Sequence, residues 1–191
     1  MAFSGNFWLN MEQMKVNASE LYNLIKSRHP DWEDGPIAGM YGNMQTESTL
    51  NPGIWQNLDE GNIDLGYGLV QWTPAYKYLD WCTENNYPPA TLNTALLRLE
   101  WEIENHKQWI PTQYYNHSFT YFLTDSSITA YQAALIFVRN YERPDEYNDN
   151  LRGTRANYWY EFITGVIPPE PVVSGKKLPL YMMYNAINGR F

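Results

Sequence analysis

The sequence is poor in the residues that build disulfides and metal clusters. Cys82 is the only cysteine, so no disulfide closes within the chain and no thiolate cluster binds a metal. In an apolar helical setting such a residue reads as a small core side chain rather than a nucleophile. Basic residues are also scarce: 13 Lys and Arg stand against 21 Asp and Glu, a formal charge of −8. A chain of this sign lacks the electrostatic footprint for a phosphate backbone, which argues against nucleic acid as a partner. No uninterrupted apolar run approaches the roughly 20 residues a bilayer demands, so no membrane span is expected. The opening Met1-Ala2-Phe3-Ser4-Gly5-Asn6-Phe7 has neither a basic start nor a long apolar stretch, and no cleavable signal peptide is expected. No internal repeat is visible.

What is present is a globular composition, 191 residues with 44% hydrophobic, enough for one domain with a real core and a short appendage. Aromatic residues are abundant: 8 Trp, 16 Tyr and 7 Phe. Many must be buried, because large rings dominate core burial. Tyr and Trp also carry a polar edge, and flat sugar faces stack on such rings. With many Asn and Gln, the composition suits a carbohydrate cleft.

Helical patterns fill most of the chain. Residues 1–9 read as irregular, with Phe3, Phe7, Trp8 and Leu9 as anchors. Asn10 with Gln13 forms a capping-box pattern ahead of Met11, Met14, Ala18, Leu21 and Ile25, predicting a helix over 11–27 that His29-Pro30 ends. Asp34-Gly35-Pro36 starts a second helix, with Ile37, Met40, Met44 and Glu47 on one face. Gly39 and Gly42 each cost about 1 kcal/mol of helix propensity relative to Ala, so their presence predicts close approach by another backbone and a central, buried helix. Residues 54–72 have no helical period and carry Gly61, Gly66 and Gly68; they predict a small twisted β-hairpin or three short strands. Further helices are predicted over 74–85 (Thr73 N-cap, with Tyr78, Leu79 and Cys82 inward), 91–109 (its apolar stripe running to His106), 127–141 (capped by Asp125 or Ser126) and 150–164, with one short turn near 117–123. The 127–141 run is apolar nearly all round, as a core helix is. A proline-rich linker spans 166–177, and 178–191 is a short apolar segment suited to docking.

Glu47 is the candidate for chemistry. Cleavage of a glycosidic bond needs a carboxylic acid that donates to the leaving oxygen, usually with a second carboxylate across the bond. Glu47 lies on the apolar face of its helix and at the C-terminal end, where free carbonyls carry partial negative charge; both favour the protonated acid. Periodicity alone favours the plainer alternative, a solvent-facing Glu47 that merely ends the helix, since most glutamates are exposed. Asp59, Glu60 and Asp64, in the segment that follows, are the candidates for the second carboxylate. In strand geometry Asp59 and Glu60 point to opposite faces, so at most one of them lines a cleft.

Glu47-Ser48, Asn51-Pro52 and Gly66-Tyr67-Gly68-Leu69-Val70-Gln71 resemble the signature of the lysozyme-like superfamily, in particular lytic transglycosylases and goose-type lysozymes. The longer string, Gly42 to Thr49, then Asn57 to Gly61, then Gly68 to Pro74, is closer still to phage tail lysozymes, such as the wall-degrading tail-knob proteins of phi29-like podoviruses. Tyr141-Glu142-Arg143-Pro144 and Tyr158-Trp159-Tyr160 also fit that group, and the resemblance covers about residues 10–165.

The resemblance implies an α+β, mostly α, lysozyme-like fold: a central buried helix, a small β-hairpin wall and a C-terminal helical lobe over residues 1–165. It implies Glu47 as the general acid and Asp59 as the second acidic group. Gln71, with Tyr67, Trp72 and Ser48, would contact substrate. Tyr141 occupies the place of a transglycosylase tyrosine, but its surrounding motif differs and core packing is the better reading. The histidines, at 29, 106 and 117, all precede residue 165, so no metal site and no zinc endopeptidase domain is expected; no cofactor is implied. His106 reads as a satisfied core histidine. The implied activity is cleavage of the β-1,4 bond between N-acetylmuramic acid and N-acetylglucosamine in peptidoglycan, at the phage tail tip, opening the cell wall for DNA delivery. Phage tail proteins are the implied partners. Cleavage without water to a 1,6-anhydro product, and a non-catalytic tail protein that keeps the fold, are the alternatives.

Overall fold

A computed structural model describes residues 1–145 and 147–166. The proline-rich stretch from residue 167 and the apolar segment 178–191 lie outside the described residues. Among the described residues the secondary structure is helical: α1 (Met11–Arg28), α2 (Asp34–Ser48), α3 (Tyr76–Glu84), α4 (Leu92–Glu104), α5 (Phe119–Leu123), α6 (Ala130–Phe137) and α7 (Asp149–Thr164), with a 3-10 turn at Gln56–Leu58 and a π-helical turn at Val138–Glu142. None of these helices is long and apolar enough to cross a membrane. They fall into two compact units, residues 1–30 with 44–109 and residues 31–43 with 110–166, and α2 is the helix whose two ends belong to different units.

In the first unit α1 begins where the sequence predicts. Asn10 accepts from the backbone N–H of Gln13, and the Gln13 side chain accepts from the Asn10 N–H, satisfying two otherwise orphan donors. Met14, Ala18, Leu21 and Ile25 are buried, and α1 packs on α4, where Leu92, Ala95, Leu96 and Leu99 are buried. Arg28 and His29 close the rim through Glu100, at 3.1 and 2.8 Å. α4 ends at Glu104, short of the predicted 109; His106 lies beyond it, exposed with φ 52°, and is not the core histidine its spacing suggested. α3 starts at Tyr76 rather than Pro74, because the Thr73 hydroxyl donates to the Gln71 carbonyl (2.7 Å) instead of capping a helix. Tyr78, Trp81 and Cys82 are its buried residues.

Residues 54–72 do not form the expected β-hairpin. Among the described residues, extended pairing is limited to two isolated bridges, Trp55 with Tyr67 and Tyr67 with Trp72. The reason is local. Asn57, Leu58, Gly61, Gly68 and Gln71 all adopt positive φ, and the backbone bonds to itself in successive turns (Asp59 N–H to Gln56, Asn62 N–H to Asp59, Leu65 N–H to Asn62). A chain that reverses this often has no room for a ladder of strands. The α+β expectation therefore becomes a mostly α fold with an irregular, turn-built loop.

In the second unit, the glycines of α2 do what their helix cost implied. A Cβ on Gly39 would lie 2.5 Å from the Ala133 Cβ, and one on Gly42 2.5 Å from the Arg152 carbonyl oxygen. α6 packs on α7, where Gly153 in turn admits the Tyr131 ring. Asn43, fully buried, donates to the carbonyls of Gly39 and Ala134 and accepts from Arg152 at 2.9 Å. α6 starts at Ala130, capped by Thr129 in a capping box with Gln132. Neither Asp125 nor Ser126 caps it, because Asp125 accepts from Ser127 and from the Tyr115 hydroxyl. Tyr141 sits in the π-helical turn, buried and stacked on Phe137 at 4.5 Å between ring centres, as the core-packing reading expects. Trp159 is fully buried on α7, and Gly165 ends that helix with φ 70°.

Candidate active site

The C-terminal end of α2 presents Glu47 and Ser48 together. Glu47 is half-buried and Ser48 fully buried. The Ser48 hydroxyl lies 2.9 Å from the Met44 carbonyl and 2.7 Å from the Leu69 carbonyl. The second contact ties the end of the acid-bearing helix to the turn Gly68-Leu69-Val70-Gln71, whose backbone closes through the Gln71 N–H to the Gly68 carbonyl (3.2 Å). On either side of that turn, Tyr67 and Trp72 exchange backbone hydrogen bonds at 3.2 and 3.0 Å.

Gln71 sits at the corner with φ 49°. Its side-chain amide donates to the Gly68 carbonyl at 2.9 Å and the Ile54 carbonyl at 3.3 Å. Its Oε1 is buried and has no hydrogen-bond partner in the protein. An unpaired buried acceptor is costly, and at a functional position it marks where a ligand donor or ordered water belongs.

The aromatic residues named from the sequence lie beneath this turn. Tyr67 and Trp72 are 5% and 6% exposed, so their rings are packed into protein. Trp72 stacks on Tyr78 at 4.3 Å with planes 5° apart, and Trp55, half-buried, meets Tyr67 edge-on at 4.8 Å. Burial, with smaller contributions from the charges of Cys82 and Glu60, pushes the Tyr67 hydroxyl up to about 12. Burial also raises Tyr78 and the Cys82 thiol, keeping both neutral. Trp72 donates its indole N–H to Glu102 at 2.9 Å, and the same carboxylate oxygen accepts from Arg98 at 3.0 Å. Arg98 is held between Trp81 and Trp101, 5.3 and 4.5 Å from their ring centres. Glu102 and Arg98 stand out in the sequence only as an i,i+4 charge pair on α4, which ordinarily faces solvent.

The candidate second carboxylates occupy the turn-built loop. Asp59, Glu60 and Asp64 are all exposed, and Asp59 accepts from the Asn62 side chain at 2.7 Å. Among the described residues, no three His, Cys, Asp or Glu side chains are grouped to hold a metal ion. Asn51, which with Pro52 belongs to the sequence signature, is a buried hub. Its amide donates to the carbonyls of Gly5 and Phe7, and its oxygen accepts from Gly53. In the second unit, burial and the neighbouring Arg152 hold the Arg155 guanidinium down to about 10, a perturbed cation the sequence did not reveal.

Compared with known families, residues 16–163 match the one described as phage tail lysozyme. The match spans well over half of the chain, and the chain belongs to that family. It is also similar to Morphogenesis protein 1 of Bacillus phage B103, 48% identical over 165 residues that cover 86% of this chain and 44% of that protein. The chain thus spans less than half the length of this relative.

Proposed function

We propose that this chain cleaves peptidoglycan glycan strands at the β-1,4 bond between N-acetylmuramic acid and N-acetylglucosamine, as a virion tail lysozyme that opens the bacterial wall for DNA delivery. The observation that carries the reading is the Ser48 bond to Leu69. It fixes the helix end that bears Glu47 to the turn that bears Gln71, whose buried oxygen lacks a protein partner. In this reading Glu47 protonates the leaving glycosidic oxygen. Gln71 uses its unpaired oxygen to accept from a sugar N–H or hydroxyl, or from the attacking water. Ser48 holds the turn, and Tyr67 and Trp72 support it from below. Asp59 is the proposed second carboxylate, stabilising the oxocarbenium-like transition state or activating water.

The exposure of Asp59, Glu60 and Asp64 keeps a second outcome in view: attack by the sugar's own hydroxyl, giving a 1,6-anhydro end without a second carboxylate. Mass spectrometry of fragments released from purified peptidoglycan separates the two, since anhydro ends are lighter by one water. Hydrated muramic acid ends are expected. Release of no glycan fragments would contradict the proposed activity and leave a structural tail protein.

A further inference from the structure

The residues ahead of α1 take no part in the proposed chemistry, yet they are held firmly. Phe3, Phe7 and Trp8 are 38%, 43% and 51% exposed, so the anchoring expected of them falls to Leu9 alone, which is buried. Amide side chains fix the segment instead. Asn17, fully buried, accepts from the Phe3 N–H at 2.7 Å and donates to its carbonyl at 2.8 Å. Asn51 donates to Gly5 and Phe7, and Thr49 accepts from the Leu9 N–H at 2.9 Å. The Phe7 ring lies over Gly5, where a Cβ would come within 2.6 Å of it. The backbone that carries the outward rings is thereby ordered in advance, which lowers the entropy cost of binding something on them.

What they adjoin suggests the occupant. Asn6 accepts from the Trp55 N–H at 3.1 Å and donates to the Leu58 carbonyl at 3.0 Å. The neighbouring Ile54 carbonyl receives the Gln71 amide. Thr49 and Asn51, which hold the segment, lie just beyond Glu47 and Ser48 in sequence. The segment is thus hydrogen-bonded to residues that lie just after the acid-bearing helix end and just after Ile54, the residue whose carbonyl holds the Gln71 amide. Exposed rings interleaved with the amides of Asn6 and Asn10 match the two faces of an N-acetylated sugar. Its C–H face stacks on a ring, and its acetamido and hydroxyl groups pair with amides.

We propose that Phe7, Trp8 and Asn6, with Trp55, bind further sugars of the same glycan strand beyond the bond being cut, so that the protein favours long strands over short fragments. This rests on the glycosidase reading above. The test uses peptidoglycan glycan strands freed of stem peptides and separated by length, with the Phe7→Ala/Trp8→Ala variant of the whole chain. KM for long strands should rise about tenfold or more, with kcat and the cleavage of the shortest usable fragments unchanged, and Trp8→Phe should restore most of the loss. Unchanged KM on long strands would overturn the inference while leaving the glycosidase reading intact. Binding of long strands, measured by co-sedimentation, is read separately from turnover. A wild-type chain that binds but does not cleave refutes only the glycosidase reading, and the double variant must then still lose binding. Capture of a protein on these rings with strand binding unaffected would assign the surface to another partner and overturn the inference.

Discussion

Replacing Glu102 by alanine removes one carboxylate that serves two buried donors. Glu102 is 2% exposed, and its Oε1 accepts from Arg98 Nε at 3.0 Å and from the Trp72 indole at 2.9 Å. The alanine variant leaves the Arg98 guanidinium between two tryptophans without its counter-charge, and it leaves the Trp72 N–H unpaired. Removing one partner of a buried ion pair costs about 3–5 kcal/mol, and a stranded N–H about 1–3 kcal/mol. The two overlap, because both arise from one side chain, so the expected loss is about 3–5 kcal/mol. Urea unfolding followed by tryptophan fluorescence should show the midpoint falling by roughly 1–2 M. Replacing both charges together, as Arg98→Met with Glu102→Leu, should recover most of this loss and leave the deficit of the Trp72 N–H. A Glu102→Ala variant within about 1 kcal/mol of wild type would refute the account of this pair as the support beneath the Gln71 turn.

Gly42→Ala should destabilise by about 1–3 kcal/mol despite better helix propensity, because its Cβ would meet the Arg152 carbonyl at 2.5 Å; a melting temperature that rises instead would contradict the close packing. Tyr67, raised to about 12, ties stability to alkaline pH. An unfolded tyrosine loses its proton near 10, so the unfolded state binds fewer protons than the native state between about pH 10 and 12, and stability should fall across that window. Tyr67→Phe should flatten that part of the decline, as read from urea midpoints at stepped pH. Asp59→Asn should lower kcat on purified walls by about a hundredfold or more with little change in KM, whereas an unaltered rate would remove Asp59 from the mechanism.

The helices were legible where one local signal dominated. Asn10 and Gln13 announced α1 because a capping box is a contact between residues three apart. Gly39 and Gly42 announced close packing because glycines in the middle of a helix cost stability unless another element needs the space. Signals that compete over a few residues were not legible. Asp125, Ser126 and Thr129 are all cap formers, and only the pairing of Asp125 with Tyr115 and Ser127 leaves Thr129 to begin α6. The glycines of 54–72 indicated reversals but not their number, and left-handed backbone at Asn57, Leu58 and Gln71 turned a hairpin into a loop. At the candidate site, Glu47, Ser48 and Gln71 stood out as a motif. The burial of Tyr67 and Trp72, and the buried Arg98–Glu102 pair beneath them, arise from contacts with α3 and α4 that no local pattern encodes.

Glu47 carries the central claim, and the direct measurement is clearing of purified bacterial cell walls by the wild-type chain and by Glu47→Gln. The substitution keeps the size of the side chain and removes its acid proton. The account predicts that clearing falls to background while the far-UV spectrum and melting temperature stay at wild-type values. Full clearing by a folded Glu47→Gln protein would contradict it.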